Sequence, residues 1–307
     1  MHDRVRLLIE TDVFGDVDDV GALAVAHHFA DLGRAEIVSV GVNTPSRFGS
    51  QTVRIVNRWY GRESIPVGAK LPLDDSVFEF DYAHRLATDH ATPADRREPA
   101  AAVDVHRKAL AESPDGSVTV VSLGFLDNLA DLLRSGPDEH SPLSGRDLVE
   151  RKVSRAVVMG GFFPSGHEYN ITESIPAAQA FVSAWPTDVD FLGWEVGAPV
   201  VTGKEISTRE GIIGDAYRAY NGTGTGRESW DLLAVHFALT NDAALYATSE
   251  RGDVVIDDSG LTTFHASASG THRYVILACE PPAAEAALDR ILNTPPRRIA
   301  ASASASL

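Results

Sequence analysis

A doubly wound α/β fold, with a mostly parallel open sheet flanked by helices, is predicted by three features of the sequence. Short apolar runs alternate with segments of helical periodicity. Those runs are continuously apolar, as strands covered on both faces must be. The residues with chemical potential sit just after the runs, where open α/β sheets bind ligands.

Residues 5–9 form the first apolar run and lead into Glu10, Thr11 and Asp12. Asp18 and Asp19 open a helix continued by Val20, Leu23, Ala24 and Phe29, and acids in a first turn complement the helix dipole. Residues 37–42 predict a second strand and 52–60 a helix, then 118–123 a strand and 126–133 a helix. Strands at 156–159 and 189–192 bracket a helix at 177–184. The strand ends bring forward Asp12, Asn43, Leu123 and Met159. Segment 71–98 is polar with scattered Pro and His and reads as a loop-rich insertion. The run NGTGTG at 221–226 reads as a mobile loop. One domain is expected over residues 1–294, with a low-complexity, disordered tail at 295–307.

The chain has 307 residues, enough for a substantial core, with 44% hydrophobic and 23% charged residues. Its net charge of -16, from 27 basic and 43 acidic side chains, disfavours polymeric nucleic acid and anionic membranes as partners. A neutral small molecule remains open. The lone Cys279 excludes an intrachain disulfide. The short N-terminal apolar run ends in acids and reads as a strand, not a signal peptide. No run approaches the roughly 20 apolar residues of a membrane span. A cytoplasmic protein is expected.

The segment ETDVFGDVDD places five carboxylates, Glu10, Asp12, Asp16, Asp18 and Asp19, within ten residues. Like charges this close are tolerable if solvated or if neutralised by a divalent cation, and oxygen-only ligands favour Ca²⁺ or Mg²⁺ over zinc. Composition leaves both readings open.

This segment resembles the signature of the nucleoside hydrolases, in the longer form DTDxGxDxDD, with Glu10 for the first Asp and Phe14 for the turn glycine. Further similarities follow in the family's order: VNTPSRFG around Asn43, VVSLGFLDNLA around Leu123, VVMGG at 157–161, EYN at 168–170 and SWD at 229–231. The resemblance implies Ca²⁺-dependent hydrolysis of a ribonucleoside to ribose and free base by a homodimer or homotetramer. It implies that Asp12 binds Ca²⁺ and serves as general base. Asp19, Asp231 and the Leu123 carbonyl would complete the metal ligands. Asp18 would bind the ribose 2′-hydroxyl, Glu168 and Asn170 the 3′- and 5′-hydroxyls, and Met159 would line the sugar pocket. Asn43 or Ser46 would fill the remaining ribose-facing position. Asp16 has no counterpart in the shorter signature.

Trp230 stands where many relatives carry a histidine before the metal-binding Asp. Tryptophan is no acid near neutral pH, though it can stack on a base. His84, Tyr217 and Tyr220 are the candidate replacements. His84 also reads as a surface histidine, and the two tyrosines as packing residues three apart on one helix face. Arg227 reads either as a pocket-facing group or, more ordinarily, as a solvated loop arginine. GAPVVTGKE at 197–205 has wrong spacing for a phosphate loop, and there is neither HExxH nor G-x-S-x-G. The competing functions are a hydrolase of a non-nucleoside N-riboside and an inactive ribose- or nucleoside-binding protein.

Overall fold

The computed structural model describes residues 4–77 and 81–297. Its strands are β1 (Val5–Thr11), β2 (Ala35–Val42), β3 (Val67–Ala69), β4 (Ala100–Ala101), β5 (Val118–Ser122), β6 (Val153–Met159), β7 (Ser165–Gly166), β8 (Asp188–Leu192), β9 (Val201–Thr202), β10 (Arg227–Glu228), β11 (Tyr246–Thr248), β12 (Gly252–Ile256), β13 (Thr262–Ala266) and β14 (His272–Leu277). The main sheet runs β4-β3-β2-β1-β5-β6-β8-β14-β12-β13-β7, with β11 beside β14. From β4 to β14 every neighbour is parallel. The far edge is antiparallel through β12, β13 and β7. β9 and β10 form a separate antiparallel ribbon.

Alternation along β1 shows why the strands read as continuously apolar. Leu7 and Ile9 join the hydrophobic cluster on one face, and Leu8 joins the cluster on the other. Side chains of successive strand residues point to opposite faces, so a sheet with two covers needs apolar residues at every position. The strand order reverses between β1 and β5. A crevice opens at such a switch point, outside the carboxyl ends of the strands. Asp12 follows β1 and Leu123 follows β5, so both lie at this crevice.

The described part of segment 71–98 is loop-rich, as expected, except for one α-helix that the sequence did not mark. It contains the helix Tyr82–His90, whose N-cap Asp81 accepts from the His84 N–H. Tyr82, Ala83, Leu86 and Ala87 are its buried face, so four apolar positions hold a helix that the polar average conceals. The NGTGTG run is tied down: Asn221 Nδ2 donates to the Gly226 carbonyl at 2.7 Å and the Gly224 N–H to Ser207 Oγ at 2.8 Å. At the start of the expected tail, the Arg297 N–H donates to Asp31 at 2.9 Å. Residues 298–307 lie outside the described residues. No described helix is long and apolar enough to cross a membrane.

Candidate active site

The turn after β1 carries the site. Thr11 Oγ1 donates to Asp19, linking the strand end to the first turn of helix Asp18–Asp31. Between them Val13 sits at φ +40°, a left-handed conformation unfavourable for a β-branched residue. Thr44 Oγ1 donates to the Asp12 carbonyl at 2.7 Å and fixes the turn from the β2 side.

A second fully buried network lies beneath the turn and centres on Glu10. Its carboxylate meets His106 Nε2 at 2.5 Å, Asn43 Nδ2 at 3.2 Å and Asn128 Nδ2 at 3.0 Å. The other ring nitrogen of His106 meets Ser39 Oγ at 2.9 Å. Ser39, His106 and Glu10 are all fully buried, so this chain of groups is a brace without access to substrate. Asn43 Oδ1 in turn accepts from the Phe125 N–H at 3.2 Å, and the Glu10 carbonyl accepts from the Leu123 N–H at 2.8 Å. Glu10 therefore joins the ends of β1, β2 and β5. The sequence marked Glu10 as one of five clustered carboxylates and a departure from the signature, and Asn128 only as part of the segment VVSLGFLDNLA; nothing pointed to His106, which comes from a distant helix.

Above this brace, Asp12, Asp19 and Asp231 bring carboxylate oxygens within 4.8 Å of one another, all buried. Asp231 arrives from the first turn of helix Trp230–Thr240, which packs against helix Asp18–Asp31. Burial, followed by the neighbouring carboxylates, pushes the acids Asp12, Asp18 and Asp231 well above the usual range. For the same leading reason Asp19 rises to about 6. Asp19 Oδ2 is buried and has no hydrogen-bond partner among the described residues. Four carboxyls crowded out of water, one with an orphaned oxygen, fit a hard divalent cation: it would neutralise their repulsion and take the free lone pairs. Hard oxygens alone do not favour zinc.

A cavity of about 370 Å³ opens over the cluster. Asp12, Asp16, Asp18, Asp231, Leu123, Met159, Glu168, Asn170, Trp230 and Arg227 line it. Glu168 caps the short helix Tyr169–Thr172, accepting from the N–H groups of Asn170 and Ile171, and also from Gly161 at 3.1 Å. Burial outweighs these donors and lifts the Glu168 carboxyl to about 7. Asn170 Nδ2 donates to the Leu123 carbonyl at 3.0 Å and touches Met159 Sδ at 3.2 Å. A carbonyl oxygen has two lone pairs, so Leu123 retains one.

Other predicted residues fall elsewhere. Asn43 is fully buried under the turn in the Glu10 network and does not line the cavity. Ser46 caps helix Arg47–Trp59, accepting from Phe48 and Gly49 N–H groups. None of the three candidate leaving-group residues lines the cavity. Tyr217 is fully buried, and a Cβ on Gly21 would lie 2.5 Å from its hydroxyl. His84 packs edge-on against Phe48, with ring centroids 4.5 Å apart. Tyr220 packs against Tyr82 and under Arg227. Arg227 is not a solvated loop residue: it pairs with Asp16 at 2.6 Å. Trp230 lines the cavity beside Trp194, to whose carbonyl its Nε1–H donates at 2.8 Å. Phe14, Tyr169 and Trp194 also line it, and no sequence pattern marked any of the three as a site residue.

Fold and site define a doubly wound α/β protein with a buried carboxylate cluster at its topological switch point. The chain belongs to the inosine-uridine preferring nucleoside hydrolase family, whose model matches residues 7–287. It is 30% identical over 215 residues to the pyrimidine-specific ribonucleoside hydrolase RihA of Citrobacter koseri, covering 67% of this chain and 63% of that one. The matched stretch is thus under two thirds of that relative's length. In structure it resembles a plant nucleoside hydrolase, with a TM-score of 0.71 at 18% identity over 95% of this chain and 100% of the other. An inosine-uridine preferring nucleoside hydrolase from Bacillus anthracis gives a TM-score of 0.67 at 18% identity, over 94% and 99%. At such identity these two speak for the fold.

Proposed function

We propose that this chain hydrolyses the N-glycosidic bond of ribonucleosides, releasing ribose and the free base, with Ca²⁺ held by Asp12, Asp19, Asp231 and the Leu123 carbonyl. The observation that carries this reading is the meeting of Asp12, Asp19 and Asp231 within 4.8 Å under a cavity also lined by Asp18, Glu168 and Asn170. Ca²⁺ accepts six to eight oxygens, so three carboxylates and one carbonyl leave room for a sugar diol and water. Bound there, the ion would neutralise the cluster, orient the diol and acidify the attacking water.

The chain's own groups do the rest. Asp12 takes the proton of the attacking water as general base, worth about 10²–10⁴-fold. Asp18 accepts from the 2′-hydroxyl, and Glu168 and Asn170 hold the 3′- and 5′-hydroxyls. Their positions are fixed before substrate arrives: Asp18 by the Asp231 N–H, Glu168 by three backbone donors. Cleavage passes through an oxocarbenium-like state, and the carboxylates beside the anomeric carbon stabilise its positive charge. The indole faces of Trp194 and Trp230 offer stacking surfaces to the base.

The test is ribose release from a panel of uridine, cytidine, inosine and adenosine, with Ca²⁺ present and Asp12→Ala as control. The relative's pyrimidine specificity makes uridine the first substrate. Ribose released by the wild type and lost in the folded variant supports the reading. No release from any nucleoside, despite saturable binding on long incubation, would identify a binding protein instead. Release only from a non-nucleoside N-riboside would move the substrate class.

A further inference from the structure

We propose that Arg227 serves the leaving group, donating a hydrogen bond to a carbonyl oxygen next to the glycosidic nitrogen of the departing base. This rests on the ribonucleoside reading and supplies the group that reading leaves open, since Trp230 is no acid and the candidate His84, Tyr217 and Tyr220 do not line the cavity.

Arg227 lines the same cavity as Asp12, Asp18 and Asp231. Its guanidinium carbon lies 5.0 Å from the centre of the Trp230 ring and 5.5 Å from that of Tyr220. Asp16 holds Nη2 at 2.6 Å and Glu228 holds Nη1 at 2.9 Å. Of its five N–H donors these contacts use two; Nε–H is buried and has no partner among the described residues, and each Nη keeps a second hydrogen. A buried donor without an acceptor is unfavourable, and such an exception marks a place where a ligand completes the bonding. Asp16 belongs to the longer turn after β1, and here that extra acid anchors the guanidinium at the cavity wall.

The chemistry balances. Water oxygen bonds to the anomeric carbon, and its proton passes to Asp12. The electron pair of the broken carbon–nitrogen bond leaves with the base and spreads onto the adjacent carbonyl oxygen. Arginine keeps its proton, so the base takes one from water on release. Asp16 and Glu228 neutralise the guanidinium, which therefore has little pull on anions at rest. What remains is a fixed donor whose bond strengthens as the base becomes negative, the kind of interaction that raises rate rather than ground-state affinity. A base with a carbonyl beside the glycosidic nitrogen, as in uridine or cytidine, is the substrate class this favours.

The experiment compares wild type, Arg227→Gln, Arg227→Lys and Asp16→Asn on uridine and on p-nitrophenyl β-D-ribofuranoside, whose phenolate leaves with little help. Arg227→Gln is expected to lose about 10²–10³-fold in kcat/KM on uridine, and at least about 30-fold less on the nitrophenyl riboside. Asp16→Asn shifts the same ratio by a smaller factor. If the Gln variant fails to fold, the Lys variant, which keeps the charge but lacks the Nε–H, makes the same comparison. Equal losses on both substrates, or none, overturn the Arg227 assignment alone. A wild type that hydrolyses neither substrate overturns the ribonucleoside reading and takes this one with it.

Discussion

The backbone N–H of Asp231 donates to the carboxylate of Asp18 at 3.1 Å, across 213 positions of sequence. Each residue lies in the first turn of its helix, so two helix N-termini converge on one acidic cluster. Their positive dipole ends offset part of the carboxylate repulsion. The offset is incomplete, because burial and neighbouring acids still hold Asp231 well above the usual carboxylate range.

Asp231→Asn is therefore expected to act in opposite directions with and without a cation. In chelator it removes one buried acid from a crowded cluster, and the variant should melt at or above the wild type. With Ca²⁺ at about 100 times its Kd, the wild type gains about 2.7 kcal/mol from binding, and the variant should lose most of that gain. Differential scanning calorimetry in EDTA and in Ca²⁺ reads both arms. Equal Ca²⁺-induced shifts in the two proteins would exclude Asp231 as a ligand.

Gly124 explains how the β5 turn comes so close to β1. A Cβ at this position would lie 2.7 Å from Asp12 Cβ and 2.9 Å from Asn43 Oδ1. Gly124→Ala should cost about 1–3 kcal/mol by overpacking. The larger effect should be on turnover, about 10²-fold, because displacing the proposed general base by an ångström suffices for that. Steady-state kinetics beside a melting curve separate the two, and an unchanged kcat would show that the turn yields without moving Asp12.

How much of this was legible in the sequence follows from the range of each interaction. The parallel core of the sheet and the residues Asp12, Asp18, Asp19, Leu123 and Met159 follow from local pattern, because apolar runs and strand ends are local features. Asp231, Glu168 and Asn170 needed the family resemblance, since no spacing rule connects them to β1. Asn43 was found but faces the brace below, because the residue after a strand can turn to either side. Helix Tyr82–His90 and the His106 and Asn128 contacts to Glu10 stayed hidden. The helix is short and amphipathic in a polar stretch, and a buried histidine looks like any other until its partner is placed.

Glu10 and His106 form the shortest contact of this brace, and both are fully buried. His106→Leu would leave the carboxylate buried with its shortest contact removed. Leaving a buried polar group short of its closest partner costs about 1–3 kcal/mol, so the variant should be destabilised in urea titration. Replacing both partners, Glu10→Gln with His106→Leu, should recover part of the loss, because removing both sides of a buried hydrogen bond is milder than removing one. A single-variant loss below about 1 kcal/mol would mean that Asn43 and Asn128 suffice to hold Glu10.

His27 gives the fold an acid sensitivity that does not depend on the cavity. Its ring stacks on Tyr60 at 4.5 Å, and Nε2 meets Asn57 Oδ1 at 2.9 Å. Nδ1 is buried without a partner among the described residues. Burial lowers the His27 pKa from 6.5 to about 3, against a smaller opposing effect of the Asn57 contact. Between these values the unfolded chain binds the proton and the folded chain does not, so stability is lost as pH falls below about 6.5. At pH 5 the linkage amounts to about 2 kcal/mol for this one group. His27→Gln retains a donor toward Asn57 and cannot titrate. It should start less stable at pH 7, having lost the stacking on Tyr60, and then lose about 2 kcal/mol less than the wild type on going to pH 5. His236 and the acidic cluster titrate in both proteins and cancel in the difference. Urea unfolding at the two pH values gives the comparison, and equal losses would show that the His27 ring takes up its proton without unfolding.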